Sequence, residues 1–340
     1  MSDIKIRPAT AGDIPGIARF IKSVFGVEKP PETLRWLLKD PENNDRYLSL
    51  IALKNDRIIC HIGYIRSYYC IGGDKRMVGA HPILWAVDPD FRGKIARKLY
   101  QSVLDEMDIS LIYEGTPDAK RAYPKLGYKR FTKVSLFRRQ CMLPGVFGQR
   151  LLRDPLKTAR TIKSALIWAI GKKNTFISRH IQSGAVRFER FPATHELKGR
   201  ENLVSNCPGQ DMVKWMLRCP DVESEAEYVF LDNIPKGFLV VYWKGHPNGH
   251  SGRIIHLPDM GTDVGAWIAV LRRAETLLVQ KGCRMITAMA SIPVLTDALH
   301  KAGYCQSGTR NVWLYDPSEK LADHDWHLTF MEGDAGYRGV

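Results

Sequence analysis

Short runs in which hydrophobic and polar residues alternate recur along the chain, and they recur in pairs. Leu48 to Leu53 and Ile58 to Ile65 are separated by a turn, as are Tyr228 to Leu231 and Gly237 to Trp243. A period of two is that of a half-buried strand, so each pair predicts a β-hairpin. Ahead of each hairpin a short helical pattern stops at a proline: Trp36 to Pro41 and Trp215 to Pro220 share Trp-x-Leu-basic-x-Pro at an offset of 179 (215 minus 36). Further on, Lys125-Leu-Gly-Tyr answers Lys301-Ala-Gly-Tyr, with Gly127 and Gly303 offset by 176 (303 minus 127). Two landmarks at nearly one offset define an internal repeat. After each hairpin the pattern predicts a strand, a helix, a strand, a second helix and a final strand, the glycine closing the second helix in a left-handed conformation. Each half therefore reads as a mixed α/β (α+β) unit, antiparallel first and crossing over later. The units are expected over residues 1–140 and 186–340, with 141–185 connecting them.

A chain of 340 residues fits two domains. With 44% hydrophobic and 25% charged residues and no apolar run of about 18, no membrane span is expected. The opening MSDIKIRPAT has neither an apolar signal core nor an arginine-rich amphipathic leader, so a cytoplasmic location is expected. Seven cysteines without CxxC or Cys/His spacing suggest neither zinc nor a disulfide framework. The net charge of +14 is uneven: Arg150 to Arg179 carries eight bases against one acid, Asp154. Interleaved with Leu151, Leu156, Ile162 and Leu166, those bases suit an amphipathic helix lying on an anionic membrane surface over about 150–180. They suit better a helix packed between the halves with its bases in water. No module signature accompanies the charge, so specific nucleic-acid binding is not expected.

The chemistry concentrates in WAVDPDFRGKIARKLY, Trp85 to Tyr100, which runs from a strand through an Arg-Gly-Lys turn into a helix. A helix N-terminus holds phosphate through unpaired amides and the positive end of its dipole. The candidates there are Arg92, Gly93, Lys94, Ile95, Ala96 and Arg97. Two side chains are best placed as general base for an amine: His81 ahead of the central strand and Glu114 at the end of the next one. The alternatives are a turn residue before Pro82 for His81, and a solvated carboxylate or ion-pair partner for Glu114.

These residues resemble the GNAT acyltransferases, which move an acyl group from coenzyme A to an amine. The resemblance rests on Arg7-Pro-Ala-Thr with Asp13, on Ile83 to Val87 leading to Arg92-Gly93, on Thr116, Ala119 and Tyr123, and on Lys125-Leu-Gly-Tyr. It covers residues 4 to 138. It implies that Arg92 to Arg97, with Thr116 and Ala119, hold acetyl-CoA or another acyl-CoA. It also implies that amides of Trp85, Ala86 and Val87 polarise the acyl carbonyl, and that Tyr123 protonates the departing thiolate; otherwise Tyr123 is a buried helix aromatic. Pro124 is expected to bend that helix or force its first turn. The family loop reads Arg-x-x-Gly-x-Gly/Ala, and this one fits it only if shortened by one residue after Lys94, with Ala96 in the second glycine place. In the second half LPDMGTDVGAW, Leu257 to Trp267, lacks the basic-Gly turn, so that copy resembles a GNAT-type fold that has lost coenzyme binding. The expected activity is N-acetyl transfer to a small-molecule amine. The tail Asp325 to Gly336 resembles GNAT-like proteins of surface-polysaccharide synthesis, which points to an amino sugar. The tandem layout also resembles FemABX-like transferases that take an aminoacyl group from tRNA, and a non-catalytic acyl-CoA-binding protein is a third reading.

Overall fold

The computed structural model describes residues 4–71, 75–141, 186–191, 203–245, 250–319, 321 and 323–331. The basic stretch from Arg150 to Arg179 lies outside the described residues, as does most of 141–185. The first half contains β1 (Ile4–Pro8), α1 (Ile14–Phe25), α2 (Pro31–Leu38), β2 (Ser49–Lys54), β3 (Arg57–Ile71), β4 (Lys75–Val87), α3 (Lys94–Leu104), β5 (Ile109–Tyr113), α4 (Pro117–Ala122) and β6 (Lys129–Gln140). The second contains β7 (Val186–Arg190), β8 (Leu203–Asn206), α5 (Gln210–Met216), β9 (Glu223–Leu231), β10 (Ile234–Lys244), β11 (His250–His256), α6 (Val264–Gln280), β12 (Cys283–Ala290), α7 (Pro293–Lys301), β13 (Cys305–Tyr315) and β14 (Asp325–His327). Both predicted hairpins are present, and β3 runs six residues beyond its alternating stretch.

The local reasons are legible. Ile14, Ile17 and Ile21 put a buried stripe along α1, and Gly26 ends it at φ 67°. Asp13 fastens the helix start to β1 through a two-pronged ion pair with Arg7, both contacts at 2.7 Å. The Arg7 guanidinium holds that carboxyl well below the usual carboxylate range, its hydrogen bonds and those from Thr10 outweighing burial.

The sequence pattern left open where the final strand of each half pairs. The fourteen strands among the described residues form one sheet, and across its centre the order is β5, β13, β6, β12. Each half thus lays its last strand inside the other half's sheet. The β6–β13 register brings Lys133 opposite Asn311 and Thr132 opposite Val312. Those separations of 178 and 180 match the repeat offset, so residues meet their own counterparts about a two-fold axis. The same relation holds at α2 and α5. The indoles of Trp36 and Trp215 stack at 4.6 Å and 10°. Each donates its Nε1–H to the other's backbone carbonyl, at 2.7 and 2.8 Å.

Around that stack one apolar core runs through both halves, from Ile14, Leu34 and Leu38 to Val213, Met216 and Tyr242. Two further cores lie under α6 and α7 in the second half and under α3 in the first. The tail closes against the shared core: β14 pairs β8, which pairs β3, and Trp326 packs on Tyr69 at 5.7 Å. Trp215→Ala removes a buried ring and leaves the Trp36 indole without its stacking partner. Loss of about 3 kcal/mol or more is expected, measured as a lowered denaturation midpoint by tryptophan fluorescence.

Candidate active site

Strands β4 and β5 run parallel but pair only at Gly79↔Ile109 and Ala80↔Ser110. A buried clasp fixes that point: Tyr100 meets Tyr128 at 3.0 Å, Tyr128 donates to Ser110 at 2.6 Å, and Ser110 donates to the Ala80 carbonyl at 2.9 Å. Beyond it β5 is paired by β13, and β4 continues against β3 alone. Near its end β4 carries a bulge, where the register to β3 shifts between His61 and Gly63 and Leu84 takes φ 50°. His61 braces the bulge. Its Nδ1 lies 2.9 Å from the Leu84 carbonyl and its Nε2 2.9 Å from Ser49 Oγ. Burial pushes the imidazole down to about 4, so it is neutral at pH 7 and donates from Nδ1 while accepting from Ser49.

The bulge turns Trp85 and Val87 toward a cavity of about 580 Å³ at this end of the sheet. Arg92, Gly93, Ala96 and Arg97 of the following turn and helix line it, as do Thr116 and Ala119 at the start of α4. Ala86, Lys94 and Ile95 do not: Ala86 is buried, Lys94 points to solvent and Ile95 packs on the α3 core. Thr116 caps α4 by accepting from Ala119 N at 3.2 Å. Helix geometry leaves the amides of Lys94, Ile95 and Ala96 without intrahelical acceptors, the first such bond running from Arg97 N to Gly93 O. The glycine of this turn does a job the sequence did not reveal. Gly93 sits at φ 115°, ψ −120°, a conformation open to glycine alone, and begins the helix. Four cations border the cavity, Arg92, Arg97, Arg121 and Lys125, against the single acid Asp118, itself 3.4 Å from Arg92.

The sequence missed Val24 and Phe25, which reach the cavity from the end of α1. Phe25 lies off that helix's buried stripe and is 40% exposed, the one visible signal for it. Arg121 and Lys125 were also missed, although their spacing of four placed them together.

The three expected catalytic side chains lie outside the lining. His81 is wholly buried on the opposite face of β4, its Nε2 2.8 Å from the Tyr69 hydroxyl, and burial pushes it down to about 3. Gly79 makes room for that contact, since a Cβ there would stand 2.5 Å from the Tyr69 ring. Glu114 is an ion-pair partner. It accepts from Asn311 N at 2.9 Å and Asn311 Nδ2 at 3.0 Å, and it pairs with Lys120. Burial raises its carboxyl, but those donors outweigh burial and hold it below the usual glutamate value. A carboxylate stabilised in this way is a weak base. Tyr123 is buried in a 3-10 turn that Pro124 opens, so the proline forces a first turn. Its hydroxyl lies against Gly115 at the end of β5, where a Cβ would be 2.2 Å away and φ is 124°.

In the second half the matching helix start is already occupied. Asp263 caps α6 by accepting from Gly265 N at 2.7 Å and Ala266 N at 3.2 Å. The buried Trp267 donates to the Gly261 carbonyl at 3.0 Å. An anion there would meet a carboxylate and a filled space. Among the described residues no cluster of His, Cys, Asp and Glu could hold a metal, and no helix is long and apolar enough to cross a membrane.

Residues 5–131 match the family model described as acetyltransferase (GNAT) domain. No curated protein matches the chain. Solved structures with the same fold include a GCN5-related N-acetyltransferase from Anabaena variabilis, 14% identical, covering 92% of this chain and 72% of that one at a TM-score of 0.52. A probable N-acyltransferase from Enterococcus faecalis is 8% identical, with the same 92% and 72% coverage and a TM-score of 0.54. The N-myristoyltransferase of Saccharomyces cerevisiae, solved with myristoyl-CoA, is 10% identical and covers 96% and 86% at 0.52. At these identities the likeness is one of fold.

Two predictions follow from this geometry. Gly93→Ala is expected to destabilise the protein by about 1–3 kcal/mol by thermal denaturation, because alanine cannot adopt the glycine angles without moving the start of α3. His61 and His81 are protonated in the unfolded chain below about 6.5 but stay neutral when folded down to about 4 and 3. Stability is therefore intact above pH 6.5 and falls as the pH drops below it. Urea unfolding at pH 7.5 and pH 5 should differ by about 2 kcal/mol for each histidine. A flat profile would contradict it.

Proposed function

We propose that this GNAT protein is a coenzyme A-dependent N-acyltransferase, using acetyl-CoA, with its donor site in the cavity between the ends of β4 and β5. The observation that carries the reading is the meeting there of the α3 amides, four cations and a diverging pair of strands. The diphosphate is held at the Gly93–Ala96 turn, with Arg92 and Arg97 beside it. Ala96 suits that place because its small side chain leaves room. The acyl-pantetheine arm runs along the bulged end of β4, where the amides near Trp85 to Val87 polarise the thioester carbonyl.

Chemistry then requires little more than alignment, because the thioester is already activated. A neutral amine attacks the carbonyl and the thiolate leaves. Tyr123, whose hydroxyl lies against Gly115 just past β5, is the proposed proton donor to it. Neither His81 nor Glu114 is free to act as base, so the site takes up the amine in its neutral form. The acceptor is a small amine, an amino sugar being the expectation from the tail, and the second half closes one side of its cleft as a GNAT-like copy without coenzyme.

Calorimetric titration with acetyl-CoA should give a dissociation constant in the micromolar range, on the scale of ordinary enzyme affinities. Arg92→Glu should weaken it on the order of tenfold to a hundredfold, and each tenfold is about 1.4 kcal/mol. Absence of heat from the folded protein would remove the reading. Binding without thiol release from any of a panel of amines would leave a coenzyme-binding protein without turnover.

A further inference from the structure

Burial raises most of the thiols, half-buried Cys141 to about 12 and Cys305 among them. Cys60, Cys219 and Cys283 are enclosed, and burial pushes them up to about 12, 11 and 12. Cys70 and Cys207 are half-buried and stand diagonally across adjoining strands at the seam between the two halves. The β3–β4 register puts Arg76 directly opposite Cys70. The β3–β8 register puts Ser205 opposite it on the other side. Cys207 follows two residues after Ser205, and its N–H extends the ladder to the Tyr68 carbonyl at 2.8 Å. The two-residue period of a strand therefore sets Cys70, Arg76, Ser205 and Cys207 on one face.

Within that group the Cys207 sulfur lies 3.6 Å from the Ser205 carbonyl and 3.8 Å from Ser205 Oγ, and its interaction with Cys70 is the first cause of the shift of both thiols. It lowers Cys70, with further help from Arg76 and against burial, and it raises Cys207. The pair is thus polarised into an incipient thiolate and a protonated neighbour. The Arg76 guanidinium lies 3.5 Å above the Tyr68 ring, with the Glu42 carboxylate at 4.0 Å. Cys207 leads directly into Pro208 and Gly209, beyond the end of β8, so its backbone is not clamped by strands on both sides.

We infer that Cys70 and Cys207 are a dithiol site that reacts with low-molecular-weight disulfides and closes into a reversible bond across the two halves. The Cys70 thiolate attacks one sulfur of the disulfide RSSR, forming a Cys70–SR mixed disulfide and releasing RS⁻. Cys207 gives its proton to that thiolate and attacks the Cys70 sulfur, expelling the second RS⁻. The protein loses two electrons as the Cys70–Cys207 bond forms, and RSSR is reduced to two thiols. Closure fastens β3 to β8, and through β8 to the tail strand β14.

The test is to incubate the folded full-length chain with oxidised glutathione, quench by alkylation and map the peptides by mass spectrometry without reduction. A Cys70–Cys207 cross-linked pair, reversed by dithiothreitol, is the expected product, with Cys60, Cys219 and Cys283 recovered alkylated after denaturation. Cys207→Ser should stop at a glutathione adduct on Cys70, and Arg76→Gln should slow adduct formation several-fold. Recovery of both thiols alkylated and uncrosslinked from the wild-type chain overturns the inference, a result that depends on no variant folding. So does an adduct that collects on Cys207 in preference to Cys70.

Discussion

The face-to-face contact of Trp36 with Trp215 is the constraint on which the architecture turns. Each ring covers the other, and each indole N–H is satisfied by the other chain segment's carbonyl. Such reciprocity arises when a surface meets its own copy, and it fixes the relation of the halves as a two-fold rotation rather than a translation along the chain. Once that relation is set, β6 and β13 must cross near the same axis, and their antiparallel pairing between Lys133 and Asn311 is the consequence. The two halves share one sheet because their central strands have no other edge to occupy.

That shared sheet spends side chains which, in isolation, look catalytic. Glu114 is the clearest case. Its carboxylate receives both the backbone and the side-chain amide of Asn311, on the strand contributed by the other half. It therefore anchors the exchanged strand to β5. His81 serves similarly inside the core, where Tyr69 reaches it over Gly79. What remains at the cavity is mostly backbone and positive charge: a bulge held by His61, a helix start set by Gly93, and arginines around the rim. That inventory suits a reaction whose reactants need holding more than activating.

Local signals in the sequence were faithful. The alternation of β2 and β3, the Trp-x-Leu-basic-x-Pro repeat and the Arg-Gly-Lys turn each announced what the structure contains, because each depends on neighbours a few residues away. The assignment of Trp85, Val87, Thr116 and Ala119 to one site with Arg92 and Ala96 came from the family resemblance, and only the Arg92 to Ala96 turn was legible from its own layout. What could not be read was anything decided by register or by distant pairing. The face of β4 on which His81 lies depends on a bulge at Leu84 that nothing in ILWAV marks. The fate of Glu114 depends on Asn311, nearly two hundred residues away. Gly93 was read as part of a phosphate turn, but its particular dihedral angles were not legible from Arg-Gly-Lys.

The exchange of β6 and β13 bears on how the chain is made. A ribosome releases β6 long before β12 and β13 exist, so the N-terminal half must wait with the flanks of β5 and β6 uncovered. Its native pairings with β13 span more than 160 residues, a high contact order that favours slow closure. Uncovered strand edges invite pairing with other nascent chains. The exposed, charged residues of β6, Lys129, Arg130, Lys133 and Arg138, give that waiting strand mutual repulsion, a built-in guard against meeting its own kind before its partner arrives.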